Sequence, residues 1–207
     1  MTIYPVKTKE ATEVNPRYVQ WAERQVSRKV KTIVSDNGLD FSNDEMHMWY
    51  QEEGIVHRPV PPNYSRLNLC ERTHQSIVGT PKAMMLQSGC PKSLWMDALS
   101  TAVYLKNRTY STVSKKTPYE CMFSYRLDVH HDQKFGANAY IHVPVSASRR
   151  KSDHNDIGYV LGYRENTAGY KVYVPESRTT LFVANARVDE SVMFKDRHAF
   201  IATRTQL

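Results

Sequence analysis

The sequence predicts a mixed α/β unit followed by a small all-β unit. Two observations carry that division. From Val14 to Phe123 apolar residues recur mostly at helical spacing, interrupted by two short β-branched runs. From Lys134 the pattern changes to short alternating segments rich in Val, Ile, Tyr and Phe, separated by Gly, Pro, Asn and Ser, as expected of a small β-barrel or sandwich. The expected limits are 1–126 for the α/β unit and 132–190 for the β unit, with 191–207 as a C-terminal tail. The 207 residues, 41% of them hydrophobic, suffice for a real core.

In chain order, Thr2 to Val6 reads as a short strand. Asn15 as N-cap with Pro16 in the first turn then opens a helix on whose face Val14, Tyr18, Trp21, Ala22 and Val26 recur. A strand from Lys31 to Val34 ends at Asp36-Asn37-Gly38. Asn and Gly tolerate the left-handed backbone of a tight turn, which places Asp36 at the strand's carboxyl end, as a plain turn residue or facing a crevice. Ser42-Asn43-Asp44-Glu45 has the form of a capping box opening a second helix with the apolar stripe Met46, Trp49, Tyr50, and Gly54 ends it. Ile55-Val56 reads as a short buried strand with His57 at its rim. Pro59, Pro61 and Pro62 mark a loop.

A helix beginning near Glu71 meets Gly79 and Pro81, which cost about 1 and about 3 kcal/mol inside a helix, so it is expected to split near Gly79 with Pro81 starting a new turn. Ser93 to about Arg108 carries so broad an apolar face that it belongs to the core. Thr117-Pro118-Tyr119-Glu120 is a second capping box, opening a short helix through Phe123. Tyr125 to Asp132 reads as linker, in which His130-His131 is a weak metal signal, because adjacent side chains on a loop rarely converge alone. The expected strands are 135–143, 157–163, 169–174, 179–183 and 186–188.

Composition narrows the partners. Twenty-eight Lys and Arg against twenty-one Asp and Glu give a net charge of +7, which permits binding to nucleic acid without establishing it. No apolar run approaches the roughly eighteen residues of a membrane span, and the N-terminus lacks the apolar core of a secretory signal. Cys70, Cys90 and Cys121 are odd in number and widely spaced, which argues for reduced thiols in an intracellular compartment and against a zinc site.

Five motifs then follow one another in a fixed order: Ser35-Asp36-Asn37-Gly38, Glu53-Gly54-Ile55-Val56-His57, Asn68 to Arg72, Pro91-Lys92-Ser93-Leu94-Trp95 and Lys116-Thr117-Pro118-Tyr119-Glu120. From about Lys31 to Glu190 the chain resembles the integrase of copia-type LTR retrotransposons. The resemblance implies an RNase H-like catalytic core, here N-terminally truncated, followed by an SH3-like β domain marked by Phe135-Gly136, Val160 to Tyr163 and Gly169 to Tyr173. It also implies DNA strand transfer, in which a DNA 3′ hydroxyl attacks a target phosphodiester, by an Asp, Asp, Glu triad holding two divalent metal ions. Asp36 matches the second Asp and Glu71 the Glu, one residue closer than in the family because its Asn-Gly-Val-x-Glu is shortened to Asn68-Leu69-Cys70-Glu71. The metal chemistry is that of a hard cation. Mg²⁺ takes near-octahedral oxygen ligands, and two ions about 4 Å apart clamp the attacking and leaving oxygens of a displacement at phosphorus.

The family's first Asp lies on an earlier strand. Glu10, Glu13 and Glu23 precede Asp36 here and read as solvated charges rather than that ligand. Alone, the chain is therefore expected to be inactive and to bind Mg²⁺ or Mn²⁺ weakly or not at all. The alternative is a noncatalytic relic, or an adopted module that binds nucleic acid or a protein. Candidate DNA contacts are Lys106, Arg108, Lys115, Lys116 and the loop residues Arg149, Arg150 and Lys151, the last three equally readable as a solvated hairpin loop. Spread in this way they imply nonspecific, salt-dependent binding. No membrane partner is expected, homo-oligomerisation stays open, and the compartment would be nuclear if the target is chromosomal DNA.

Overall fold

The computed structural model describes residues 2, 11–35, 38, 40–60, 69–142, 155–164 and 169–198. Two compact units emerge, 1–76 with 111–126, and 77–110 with 127–207. The expected strand at Thr2 to Val6 lies outside the described residues.

In the first unit, α1 (Ala11–Val26) begins four residues before the expected cap, so Asn15 and Pro16 are inside it. Glu13 falls in the first turn, where its charge suits the positive end of the helix dipole, and the amide that proline lacks removes a single helical bond. Ser27 leaves the helix with φ 51°. Glu23 is no solvated charge: its carboxylate accepts from Val30 N at 2.7 Å and lies 2.7 Å from Lys29 Nζ, tying the helix end to the following strand. The lysine contact holds the Glu23 carboxyl below its usual range.

Strand β1 (Thr32–Ser35) pairs in parallel with β2 (Val56–Pro59), Ile33 opposite His57 and Ser35 opposite Pro59. The second strand thus begins at Val56, not Ile55, contains His57, and is exposed at Val56 where a buried strand is expected, while Ile55 just before it is buried. Proline fits at its last position, where no ladder bond is asked of it. Between them, α2 (Asp44–Glu52) is capped by Asn43, one residue later than expected, its Oδ1 accepting from Met46 N at 2.8 Å. Met46, Tyr50 and Ile55 are buried together, with Val19, Val30, Ile33 and Trp49 packed around them. The last element of this unit, α5 (Pro118–Phe123), carries the expected capping box: Glu120 N donates to Thr117 Oγ1 at 3.1 Å and Thr117 N donates to Glu120 Oε2 at 2.8 Å.

Helix α3 (Leu69–Ser88) corrects the expected split, because it is continuous through Gly79 and Pro81. Ile77, Pro81 and Ser88 are buried and Met84 and Met85 partly so, a stripe at spacings of three, four and seven. Burying such a stripe outweighs two local breakers, since one fully buried Ile or Met side chain is worth about 1.5–3 kcal/mol.

A 3₁₀ turn at Lys92–Leu94 leads into α4 (Trp95–Arg108), which buries Ala98, Thr101, Ala102 and Val103. The β unit is one antiparallel sheet in the order β6-β5-β4-β3-β7, made by β3 (Ala137–His142), β4 (Asn155–Tyr163), β5 (Tyr170–Val174), β6 (Thr179–Val183) and β7 (Ala186–Met193). The middle strand β4 is buried on both faces from Gly158 to Gly162, while β6 at one edge is exposed. Tyr159 and Leu161 pack with Cys90, Leu94, Ala98, Phe135 and Phe194, while Val160 packs with Ala139, Ile141, Val172 and Val174.

Two glycines permit the close fit of helices on this sheet. A Cβ on Gly162 would lie 2.3 Å from Thr101 Oγ1, whose hydroxyl donates to Leu161 O at 2.6 Å. Gly136, at φ +76°, would set one 2.3 Å from Ser88 Cβ. Strand β7 also continues past 190, and α6 (Phe194–Arg197) follows it. Met193 and Phe194, expected in the tail, are 7% and 1% exposed, and Phe194 packs with Leu94 and Ala98 in the core.

Candidate functional site

The candidate site starts from the carboxyl end of β1. Parallel pairing brings Ser35 beside β2, where its Oγ is 2.8 Å from His57 Nε2, and Val60 N donates to Ser35 O at 2.9 Å. The His57 ring stacks on Tyr50 with centroids 4.8 Å apart and lies 6.1 Å from His47. Burial first, then the neighbouring His47, lowers the His57 pKa, so the ring is neutral at pH 7. Asp36 follows Ser35 directly and lies outside the described residues. Glu71 is in the first turn of α3, with its side chain outside what is described. In sequence, Asp36 comes directly after β1, and Glu71 belongs to the start of α3 in the first unit. Among the described residues no three His, Cys, Asp or Glu side chains are grouped for a metal ion.

The donor chemistry fits a hard divalent cation, since both matched residues are carboxylates. Sequence reasoning missed the Ser35–His57 contact. The β-branched runs Thr32-Ile33-Val34 and Ile55-Val56 differ in length, and nothing local to either fixes their register.

The basic candidates divide. Lys106 is exposed in the last turn of α4. Arg108 is not a free surface cation: its guanidinium lies 3.3 Å over the Tyr104 ring, Nη1 donates to Tyr104 O at 3.1 Å, and its charge acts on Asp132. Lys115 and Lys116 are exposed in the turn closed by the Ser111–Lys116 bridge. Arg149, Arg150 and Lys151 lie outside the described residues.

His131 is bound into the second unit as well. Tyr104 Oη is 3.1 Å from its Nε2, Tyr170 Oη donates to its carbonyl at 3.0 Å, and Tyr163 stacks on Tyr104 at 4.5 Å. Tyr163 in turn donates to Gln133 O at 2.7 Å, and burial pushes its phenol well up. Asp132 is raised by burial, with His131 and Arg108 pulling the other way.

Residues 137–201 match the retroviral polymerase SH3-like domain. The chain is 30% identical over 182 residues to the retrovirus-related Pol polyprotein from transposon TNT 1-94 of Nicotiana tabacum, covering 86% of this chain and 14% of that protein. To the corresponding polyprotein from transposon RE1 of Arabidopsis thaliana it is 25% identical over 194 residues, 91% of this chain and 13% of that one. The HTLV-2 integrase catalytic core domain in complex with magnesium is a looser structural likeness, with a TM-score of 0.42 and 22% identity over 56% of this chain and 72% of that one.

The protein is thus a relative of retroelement Pol polyproteins, with an SH3-like domain of the retroviral polymerase type. Within that class it is related over most of its length to the polyproteins of copia-type transposons, of which it spans about a seventh.

Proposed function

We propose that the chain is the distal part of an integrase catalytic core followed by its SH3-like domain, and that Asp36 and Glu71 are two carboxylate ligands of a metal-dependent strand-transfer site. One observation carries the reading. The parallel pair β1–β2 runs into Asp36 at the carboxyl end of β1, the end at which α/β sheets bind ligands, and the next helix carries Glu71 in its first turn. Relatedness to Pol polyproteins over 86% of the chain supports it. Divalent metal, when bound, would supply charge stabilisation for the reacting phosphoryl oxygens. What the chain's own residues do is set the strand end: the Ser35–His57 contact joins β1 to β2 immediately before Asp36.

Residues 1–207 contain two carboxylates that match the family's triad, and this reading expects no strand transfer from this segment by itself. DNA is held nonspecifically by exposed lysines such as Lys106, Lys115 and Lys116, an action that would be nuclear on a chromosomal target. The test is strand transfer with labelled oligonucleotides in Mg²⁺ and in Mn²⁺. No joined product is expected, and joining that disappears in Glu71→Gln would overturn the assignment of inactivity.

A further inference from the structure

Phe182 is 57% exposed on β6, a strand with no charged residue that pairs only with β5 among the described residues. A single exposed apolar side chain is ordinary. What sets this one apart is its neighbours. Lys171, its cross-strand partner on β5, holds Nζ 6.0 Å from the ring centroid, and Arg164, just beyond β4, holds its guanidinium carbon 5.5 Å from the same centroid. Two cations from different parts of the chain converge on one solvent-facing ring, both within cation–π reach. Asp97 of α4 pairs with Lys171 and fixes it in place. No described carboxylate forms an ion pair with Arg164, whose side chain is exposed.

An exposed aromatic face beside a cation is the combination that binds a single nucleic-acid strand, the ring stacking on a base and the cation meeting its phosphate. We infer that Phe182, Arg164 and Lys171 form a stacking site for an unpaired nucleotide at the edge of the sheet. The inference rests on the proposed DNA association and refines it, from phosphate contact with any duplex to preference for a single strand at one place. Duplex DNA cannot use the ring, because its bases are already stacked on one another.

The test is fluorescence anisotropy of a labelled oligothymidylate and of a duplex of equal length, with the full chain and with Phe182→Ala, Phe182→Trp and Arg164→Gln. Phe182→Ala should weaken single-strand binding roughly 5- to 150-fold, the equivalent of about 1–3 kcal/mol per stacked base. Duplex binding should stay within about twofold, and Phe182→Trp should restore the loss. Arg164→Gln should weaken single-strand binding and flatten its salt dependence. Equal loss on both probes, or no loss on either, overturns the stacking site. So does self-association that Phe182→Ala abolishes while oligonucleotide binding is unchanged, since the edge strand then serves a second copy. A wild-type chain that binds neither probe refutes the underlying DNA reading instead, and the two failures are distinguishable.

Discussion

Replacing Pro81 by alanine tests whether α3 is held continuous by the stripe it buries. Inside a helix proline is about 3 kcal/mol worse than alanine, because it lacks a donor and its ring crowds the carbonyl four residues earlier, at Ile77. Pro81 is also fully buried, so the change removes two methylene-sized groups from the interior, a loss of about 1.6 kcal/mol at about 0.8 each. The difference favours the variant by about 1.4 kcal/mol, which for a chain of this size raises Tm by about 3–6 °C. If Pro81 instead began a separate helix, its missing amide would cost nothing there. The variant would then lose the same burial and about 0.4–1 kcal/mol of proline's restriction of the unfolded chain, and Tm would fall. Thermal unfolding followed by far-UV circular dichroism decides by sign, and a drop refutes the reasoning. Gly79→Ala is the companion: a Cβ there meets nothing within 4 Å, so a gain of about 0.5–1 kcal/mol is expected of an exposed position in an unbroken helix.

Gly162→Ala should lose about 1–3 kcal/mol in urea unfolding, because its Cβ would displace Thr101 from Leu161 O; a neutral result would mean that α4 does not rest on β4 as described. Acidification has a defined sign at His57. Its pKa is lower folded than unfolded, so the unfolded chain takes up the proton first, and stability falls as pH drops below about 6.5. His57→Gln should show a shallower decline in urea midpoint between neutral and mildly acid pH, and an unchanged decline would remove His57 from the account. Duplex affinity should fall linearly on a log–log salt plot, and Lys115→Gln with Lys116→Gln should reduce that slope by about 2 if both lysines meet phosphates. Arg108→Ala should cost thermal stability more than DNA affinity, because the guanidinium is bound into Tyr104.

Features settled by neighbours in sequence were legible beforehand. The Thr117–Glu120 box closes within four residues, and the alternating strands after Lys134 advertise their own period. What depended on distant partners was not. The continuity of α3 is decided by the burial of Ile77, Pro81 and Ser88, which no local propensity registers. Glu23 read as a solvated acid because its partners, Lys29 and Val30, reach it only when the chain turns back after α1. Motif order puts Asp36 and Glu71 forward as candidates, whereas the Ser35–His57 contact needed the parallel register of two separated strands. Arg108 reads from sequence as a free cation, whereas its packing on Tyr104 and its action on Asp132 depend on the fold.

The central claim is that Asp36 and Glu71 face one site, and cross-linking tests it without requiring metal or activity. Cysteines replace both residues in a chain whose own Cys70 and Cys121 are serine, with Asp36→Cys and Thr73→Cys as the control pair, since positions two apart on a helix point to different faces. A bifunctional thiol reagent spanning about 8 Å suits carboxylates that would share ions about 4 Å apart. The account predicts rapid linkage of positions 36 and 71 and little of 36 and 73. Linkage of 36 to 73 that equals or exceeds that of 36 to 71 would contradict it.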